Sequence, residues 1–452
     1  MNELKVGDKL FVDIKRIGIN GEGVAFYKKL AIFIPNALPK ENVFIEITSA
    51  NKKYASGVIR ELKNKSPYRI DHFCPYYNKC GGCSLQHLNY QDSGDIKKNI
   101  LIESLNRYSD MDPRKFEIKD TILMNDPYGY RFKATLPLRQ GEHGVVYGMY
   151  APNSEQFVRI KECKVHNELI NQIAFACTNA LDMAQINAYS PKNKNGYARY
   201  LIIRVSHDSK EAQVTFIFAK QPKNLELLTE LCLKINNVVS VYYSINDTEE
   251  NVEFFGSELI YLGGKQTITE KLNNLSFELL PNSFFQLNPI QAENLFAEVK
   301  KACKLSGKER IVDAYCGVGV IGLLLANNAK EVIGVESNKE AILNANQNAK
   351  LNGIENAKFI EGDSSNLLPY LNRKNDIDIL VVDPPRSGLD DKLLSSILKS
   401  GIKRIIYVSC NPATLAKNLS VLKDKYQVKY IQPVDMFPFS AHVETVALLT
   451  KK

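Results

Sequence analysis

The stretch Tyr407-Val-Ser-Cys410-Asn-Pro412 follows the mainly apolar run Ile402 to Val408 and precedes an amphipathic segment. Read as strand, turn and helix, it sets Cys410 at the carboxyl end of a buried strand, where open α/β sheets build their sites. That is a place for a nucleophile. A cysteine is also a small buried hydrophobe, so the stretch by itself leaves both readings open.

The segments on either side keep the same rhythm. Asn288-Pro289 caps a helix running to about Cys303, with proline at its first position. Strands are predicted at Arg310 to Tyr315, Glu331 to Glu336, Ala357 to Glu361, Ile377 to Asp383 and Lys403 to Ser409. Helices over Lys339 to Asn352, Asp390 to Lys399 and Ala413 to Lys423 separate most of them. This alternation predicts a doubly wound parallel sheet, a Rossmann-like α/β domain over residues 286–452.

Within it, Asp313-Ala-Tyr315-Cys-Gly317-Val-Gly319 is a glycine-rich turn through which a backbone can approach a ligand closely. Gly317, Gly319 and Gly322 formally fit G-x-G-x-x-G, and alone they leave a nicotinamide enzyme open. Glu336, ending the next strand, can accept hydrogen bonds from both hydroxyls of a ribose, which supports an adenosine-bearing cofactor. Asp383-Pro384-Pro385-Arg386 fixes a rigid loop at the end of the fourth strand, where a methyl donor and a nucleobase meet at a defined angle. An aromatic at position 386 would suggest methylation of an exocyclic amine. Arg386 points away from that chemistry.

Toward the amino terminus the pattern changes. Residues 118–285 read as mixed α/β, and a helical segment at about 91–110 is placed so that it could pack on the catalytic domain; together 66–285 form a central α+β domain. Cys74-Pro-Tyr-Tyr-Asn-Lys-Cys80-Gly-Gly-Cys83 opens it, with Cys163 as a fourth thiol in Lys161-Glu-Cys163-Lys-Val-His166. Four thiolates favour a [4Fe-4S] cluster or zinc, and His87 or His166 could complete a zinc site. Residues 1–65 alternate five short apolar runs with Gly and Asn turns, the pattern of an oligonucleotide-binding type β-barrel.

Charge agrees with that assignment. The chain of 452 residues carries a net +8, and residues 1–70 hold thirteen lysines and arginines against seven carboxylates. A localised basic surface suits a polyanion such as RNA. The charged start, Met1 to Lys9, lacks the apolar core of a signal peptide, and no apolar run approaches a membrane span. A cytoplasmic monomer with no membrane partner is expected.

With these motifs in place the chain closely resembles the RNA uridine C5-methyltransferase family, and within it the 23S rRNA (uracil-5-)-methyltransferases. The resemblance rests on a TRAM-like basic barrel, the four cysteines, Asn282-Ser-Phe-Phe-Gln286-Leu-Asn288, the 313–319 turn, Gly334-Val-Glu336, Asp383-Pro-Pro-Arg386, Ser409-Cys410-Asn-Pro412 and His442-Val-Glu444-Thr445. It implies that Gln286, Tyr315, Glu336 and Asp383 contact S-adenosylmethionine, with Asp363 near the adenine edge. It also implies that Cys74, Cys80, Cys83 and Cys163 hold a [4Fe-4S] cluster. Family members that act on tRNA generally lack both barrel and cluster, so the resemblance implies 23S rRNA. Val320 departs from the family, which often places a polar residue there.

The chemistry requires such residues. Uridine C5 is too weak a nucleophile to take a methyl group directly, and thiolate addition at C6 turns it into an enolate carbon. Cys410 is expected to supply that thiolate, with a pKa depressed by the cationic cofactor, and Glu444 to remove the C5 proton afterwards; His442 is the alternative base. The competing readings are a tRNA uridine C5-methyltransferase and a non-catalytic RNA-binding assembly factor, and the pairing of Cys410 with Glu444 argues against the second.

Overall fold

The computed structural model describes residues 4–248, 254–373 and 376–452. Its first sheet has six strands between Lys9 and Asn64, in the spatial order Lys9–Asp13, Asn42–Ala50, Tyr54–Asn64, Leu30–Ile34, Gly23–Tyr27, Arg16–Ile17. The five expected strands are there, and Arg16–Ile17 adds a short sixth. Alternate residues of Asn42–Ala50 turn inward, so Val43, Ile45 and Ile47 meet Val12, Ile14, Ile32 and Ile34 in a closed apolar core.

The central sheet has seven strands, with helices Glu168–Met183 and Leu225–Leu233 packed on it. Strands Ala198–Val205 and Ala212–Phe218 are buried along nearly their whole length, which accounts for their continuous apolar sequence.

Eight strands form the third sheet: β1 (Glu117–Ile118), β2 (Arg310–Ala314), β3 (Glu331–Glu336), β4 (Ala357–Glu361), β5 (Ile379–Val382), β6 (Arg404–Ser409), β7 (Tyr426–Val434) and β8 (Glu444–Lys451), in the order β4-β3-β2-β5-β6-β8-β7-β1. From β4 to β6 the pairs are parallel, but β8 runs antiparallel to both β6 and β7. The sheet is therefore mixed where an all-parallel one was expected. Residues 435–443 carry the chain from β7 straight back into β8 without a crossover helix, and such a connection can only pair strands antiparallel.

The helices of this layer are α1 (Ser93–Tyr108), α2 (Pro289–Cys303), α3 (Val320–Ala326), α4 (Lys339–Leu351), α5 (Ser364–Leu371), α6 (Asp391–Ser400) and α7 (Pro412–Leu422). Helix α1 packs on α7 and sends Leu101 and Leu105 into the core formed by β5, β6 and α7. A hairpin, Ile268–Leu272 with Leu275–Leu279, lies along α4. Asn344, Asn348 and Asn352 share one face of that helix, and their side-chain amides take the place of a strand partner. Asn348 accepts from the Glu278 amide at 2.9 Å and Asn344 donates to the Glu278 carbonyl at 3.0 Å, while Asn352 does both for Ser276.

A small apolar core ties the layers together around one loop. Ile17 and Leu38 of the barrel, Leu85 and Leu88, Ile96 and Ile100 of α1, and Ala441 and Val443 meet there. Gly21 comes so close that an added Cβ would lie 2.5 Å from Ser84 Oγ. The barrel is thus seated beside the residues that lead into Glu444. Among the described residues no helix is long and apolar enough to cross a membrane.

Candidate active site

The carboxyl ends of β2, β3, β5 and β6 meet the start of β8 in one cleft. After β2 the backbone turns through left-handed conformations at Tyr315 (φ 66°), Gly317 (φ 53°) and Gly319 (φ 86°). At Gly319 a Cβ would stand 2.8 Å from the Phe359 ring, so the turn needs glycine for space as well as for φ. Asp313 fixes the following helix by accepting the Gly322 amide at 2.8 Å, and its second oxygen is buried without a partner. Glu336 accepts from the Gly317 amide at 3.3 Å and the Asn338 amide at 2.9 Å. Between Gly317, Val318, Glu336, Asn338 and the 280–284 loop lies a cavity of about 220 Å³.

Three carboxylates converge on this cleft. Asp313 is pushed up to about 8 by burial, with Asp383 and Glu336 adding to the effect. Burial likewise raises Asp383 to about 6. A pocket that crowds carboxylates together in this way gains most from a positively charged ligand. The residues therefore fit a sulfonium-bearing cofactor.

At the far side of the cleft, Ser409 of β6 is paired with Thr445 of β8, and the Thr445 hydroxyl donates to the Ser409 carbonyl at 3.3 Å. Cys410 follows Ser409 and Glu444 precedes Thr445, so the two functional side chains leave neighbouring strands opposite one another and toward the same face. Glu444 is only 6% exposed. Its pKa is pushed up to about 8 by burial and by Asp383, against the pull of Arg386 and Lys97. Cys410 is pushed up to about 11 by burial, Glu444 and Asp383, with Arg386 opposing. Two carboxylates face the sulfur and disfavour its anion, so the expected depression falls to the charge of a bound cationic cofactor. His442 is pushed down to about 4 by desolvation and by Arg386, Lys97 and Arg131.

The rigid loop after β5 is tied directly to the nucleophile loop. Asn411 and Thr414 donate to the Arg386 carbonyl at 3.1 and 3.2 Å, and Asn411 also caps α7 through the Ala413 amide. Two of the expected cofactor contacts sit less directly. Gln286 lies in a water-sized gap beside Lys133, Arg204 and Glu270, just past the 280–284 loop that lines the cavity. Asp363 spends one carboxylate oxygen capping α5 at the Asn366 amide, 3.0 Å away, and its charge reaches Tyr315.

Comparison with known proteins decides the family. The family model described as tRNA (uracil-5-)-methyltransferase matches residues 90–452, and the TRAM domain matches residues 3–59. The chain belongs to the tRNA (uracil-5-)-methyltransferase family. It is 40% identical to an uncharacterized RNA methyltransferase of Bacillus anthracis, over 100% of this chain and 98% of that protein. It is 41% identical to another from Halalkalibacterium halodurans, over 99% and 97%. Among solved structures, the tRNA (uracil-54, C5)-methyltransferase of Pyrococcus abyssi in complex with S-adenosyl-L-homocysteine aligns over 97% of this chain and 99% of its own, at a TM-score of 0.78 and 28% identity. S-adenosylmethionine is the family's methyl donor, and the TRAM domain is a module for RNA.

The Pyrococcus match bears on substrate. Coverage of 97% leaves too few residues for that enzyme to lack the barrel. A methyltransferase of this family that acts on tRNA therefore spans the barrel region too, and the barrel does not separate rRNA from tRNA substrates.

The four cysteines of this family member share one neighbourhood. Cys83 is pushed up to about 12 by burial and by the nearby Cys163, Cys80 and Cys74, while Cys80 feels Cys163 and Cys74. Gly81 and Gly82 do not adopt positive φ; the turn needs Gly81 because a Cβ there would be 3.1 Å from the Pro152 nitrogen. His87 Nδ1 is bonded to the Tyr77 hydroxyl at 2.6 Å while its Nε2 is buried with no hydrogen-bond partner among the described residues, and His166 is buried. Among the described residues no three His, Cys, Asp or Glu side chains are arranged to hold a metal ion.

Two charged groups beside the cleft carry no expectation from the sequence. For Asp313 the available signal is its place at a strand end followed by glycines. Lys97, one of two cations facing Glu444, carries no local signal at all.

Proposed function

We propose that this chain methylates C5 of a uridine in 23S rRNA, with Cys410 as nucleophile and Glu444 as base. The observation that carries this reading is the placement of Cys410 and Glu444 on facing strand ends, within a cleft whose carboxylates suit a cationic methyl donor. S-adenosylmethionine held there supplies a methyl group on a positively charged sulfur, and that charge offsets the carboxylates that face Cys410. The Cys410 thiolate adds to C6 of the base, forming a C–S bond and moving electron density to C5. Once C5 carries the methyl group, the Glu444 carboxylate takes the C5 proton. The C–H electron pair forms the C5–C6 double bond, the C6–S bond breaks, and its electrons return to Cys410. The rigid Asp383-Pro-Pro-Arg386 loop, anchored by Asn411 and Thr414, holds the base in register with this pair.

We propose further that Cys74, Cys80, Cys83 and Cys163 hold a [4Fe-4S] cluster. The four thiols lie close enough to act on one another's ionisation, which suits four thiolates on one metal group, with zinc as the alternative. Its role is structural or in RNA binding.

A second reading, tRNA as substrate, is favoured by the likeness to the Pyrococcus enzyme. The 23S reading rests on the cysteine segment, which the family resemblance links to ribosomal RNA enzymes. Mapping 5-methyluridine in ribosomal and transfer RNA from cells with and without the gene separates them. Loss at a 23S position is expected, loss only in tRNA establishes the second reading, and loss in neither overturns both.

A further inference from the structure

The segment 435–443 that delivers Glu444 to the cleft is anchored at several carbonyls, as well as through the Asp435 amide to the Ile122 carbonyl at 2.9 Å and the Ala441 amide to the Ser84 hydroxyl at 3.2 Å. Gln291 donates to the Asp435 carbonyl at 2.8 Å, Asn288 to Met436 at 3.0 Å, and the Tyr130 hydroxyl to Pro438 at 3.2 Å. The amides of Ser84 and Leu85 both donate to Phe439, at 3.0 and 2.9 Å. Phe439 itself sits in the left-handed region, at φ 62°. Into this neutral framework α1 inserts a charge. The Lys97 ammonium donates to the carbonyls of Phe437 at 3.1 Å and His442 at 2.8 Å, and it is bonded to the Asp435 carboxylate. Both side chains of that ion pair are 0% exposed, and the Tyr90 hydroxyl completes Asp435 at 2.9 Å.

Such a pair is an expensive way to hold a loop. Desolvating two ions costs about as much as their attraction returns, and an apolar pair of the same size is often as stable. Neutral amides already anchor the neighbouring carbonyls. The ammonium has one feature that they lack: a single atom gathers the Phe437 and His442 carbonyls, on either side of the left-handed Phe439, and so clamps the backbone that runs into Glu444.

We propose that Lys97 is a positioning residue for the base: charge-balanced by Asp435, it clamps the carbonyls of Phe437 and His442 and so fixes the backbone that sets Glu444 opposite Cys410. The inference rests on the reading of Glu444 as that base. It also explains why α1, outside the sheet, packs so closely on the helix that follows Cys410.

The test uses the full-length protein with its natural cofactor and RNA. Lys97→Met strands a buried carboxylate and is a folding hazard, so the informative variant is Lys97→Met/Asp435→Asn, which removes both charges at once. Expected for the double variant are a kcat lowered about tenfold at pH 7, KM values for cofactor and RNA within about twofold, and accumulation of a covalent complex with unmodified RNA. A folded double variant with unchanged kcat and no trapped complex overturns the proposal. Glu444→Gln is the control for the underlying reading: if it turns over normally without trapped adduct, the base assignment fails, whatever Lys97 does.

Discussion

Cys410 and Glu444 stand opposite each other because Ser409 and Thr445, their immediate neighbours, are the last matched pair of the β6–β8 ladder. The antiparallel edge of the sheet is what creates this geometry. In an all-parallel sheet the amino end of β8 would lie at the opposite edge from the carboxyl end of β6. Glu444 would then be a strand length from the cleft. The mixed sheet is therefore a functional feature as much as a topological one.

Replacing Glu444 should stabilise the protein at and above pH 8. Its carboxyl is raised to about 8 from 4.5, so its cost to folding is absent below pH 4.5, grows between pH 4.5 and 8 and levels off above. Relative to wild type, Glu444→Gln should gain roughly 2–5 kcal/mol at pH 8 and little at pH 4.5. Urea denaturation at the two pH values checks this. A gap that does not widen with pH contradicts it.

The barrel is locked to the next segment by a buried charge pair with the opposite pH sign. Arg69 donates to both oxygens of Glu41, at 2.5 and 2.8 Å, and the amides of Leu38 and Ser66 also donate to that carboxylate. Burial works to raise Glu41, but these partners leave it below 4.5. Its contribution is present above pH 4.5 and is lost as pH falls through the lowered value. Glu41→Gln should cost about 3–5 kcal/mol at pH 7, with the difference closing in acid, measured by denaturant unfolding.

Space and φ combine at the cofactor turn. Gly319→Ala forces a side chain into the left-handed region and against Phe359. A loss of about 1–2 kcal/mol in stability is expected, together with at least tenfold weaker S-adenosylmethionine binding by calorimetry. Unchanged affinity would remove the turn from the cofactor site.

Much of this was legible in the sequence, and the remainder fails for identifiable reasons. Strand and helix alternation located β2 to β6 to within a few residues, because most of them are buried and read as apolar runs, while the two-residue β1, parallel to β7, carries no pattern. Helix α5 was missed, since Pro369 lies inside its eight residues and breaks the pattern. The antiparallel return of β8 has no local signature. Cys410 was found from its place at a strand end, but the sign of its pKa displacement depends on Glu444 and Asp383, which only the fold brings to it. Lys97 and Asp435 are 338 residues apart, and nothing in either neighbourhood announces the other.

The cysteine segment makes a compositional prediction. Protein purified without oxygen should contain iron and acid-labile sulfide in equal amounts, and Cys83→Ser or Cys163→Ser should lose both. Zinc in their place would contradict the cluster.

The most direct test of the central claim is trapping by RNA that carries 5-fluorouridine. Fluorine at C5 cannot leave as a proton does, so a thiolate adduct formed there persists after methyl transfer. Wild-type protein with S-adenosylmethionine should form a denaturant-stable complex with this RNA, and Cys410→Ala should form none and produce no 5-methyluridine from ordinary RNA. Methylation of uridine C5 by the Cys410→Ala variant would contradict the account.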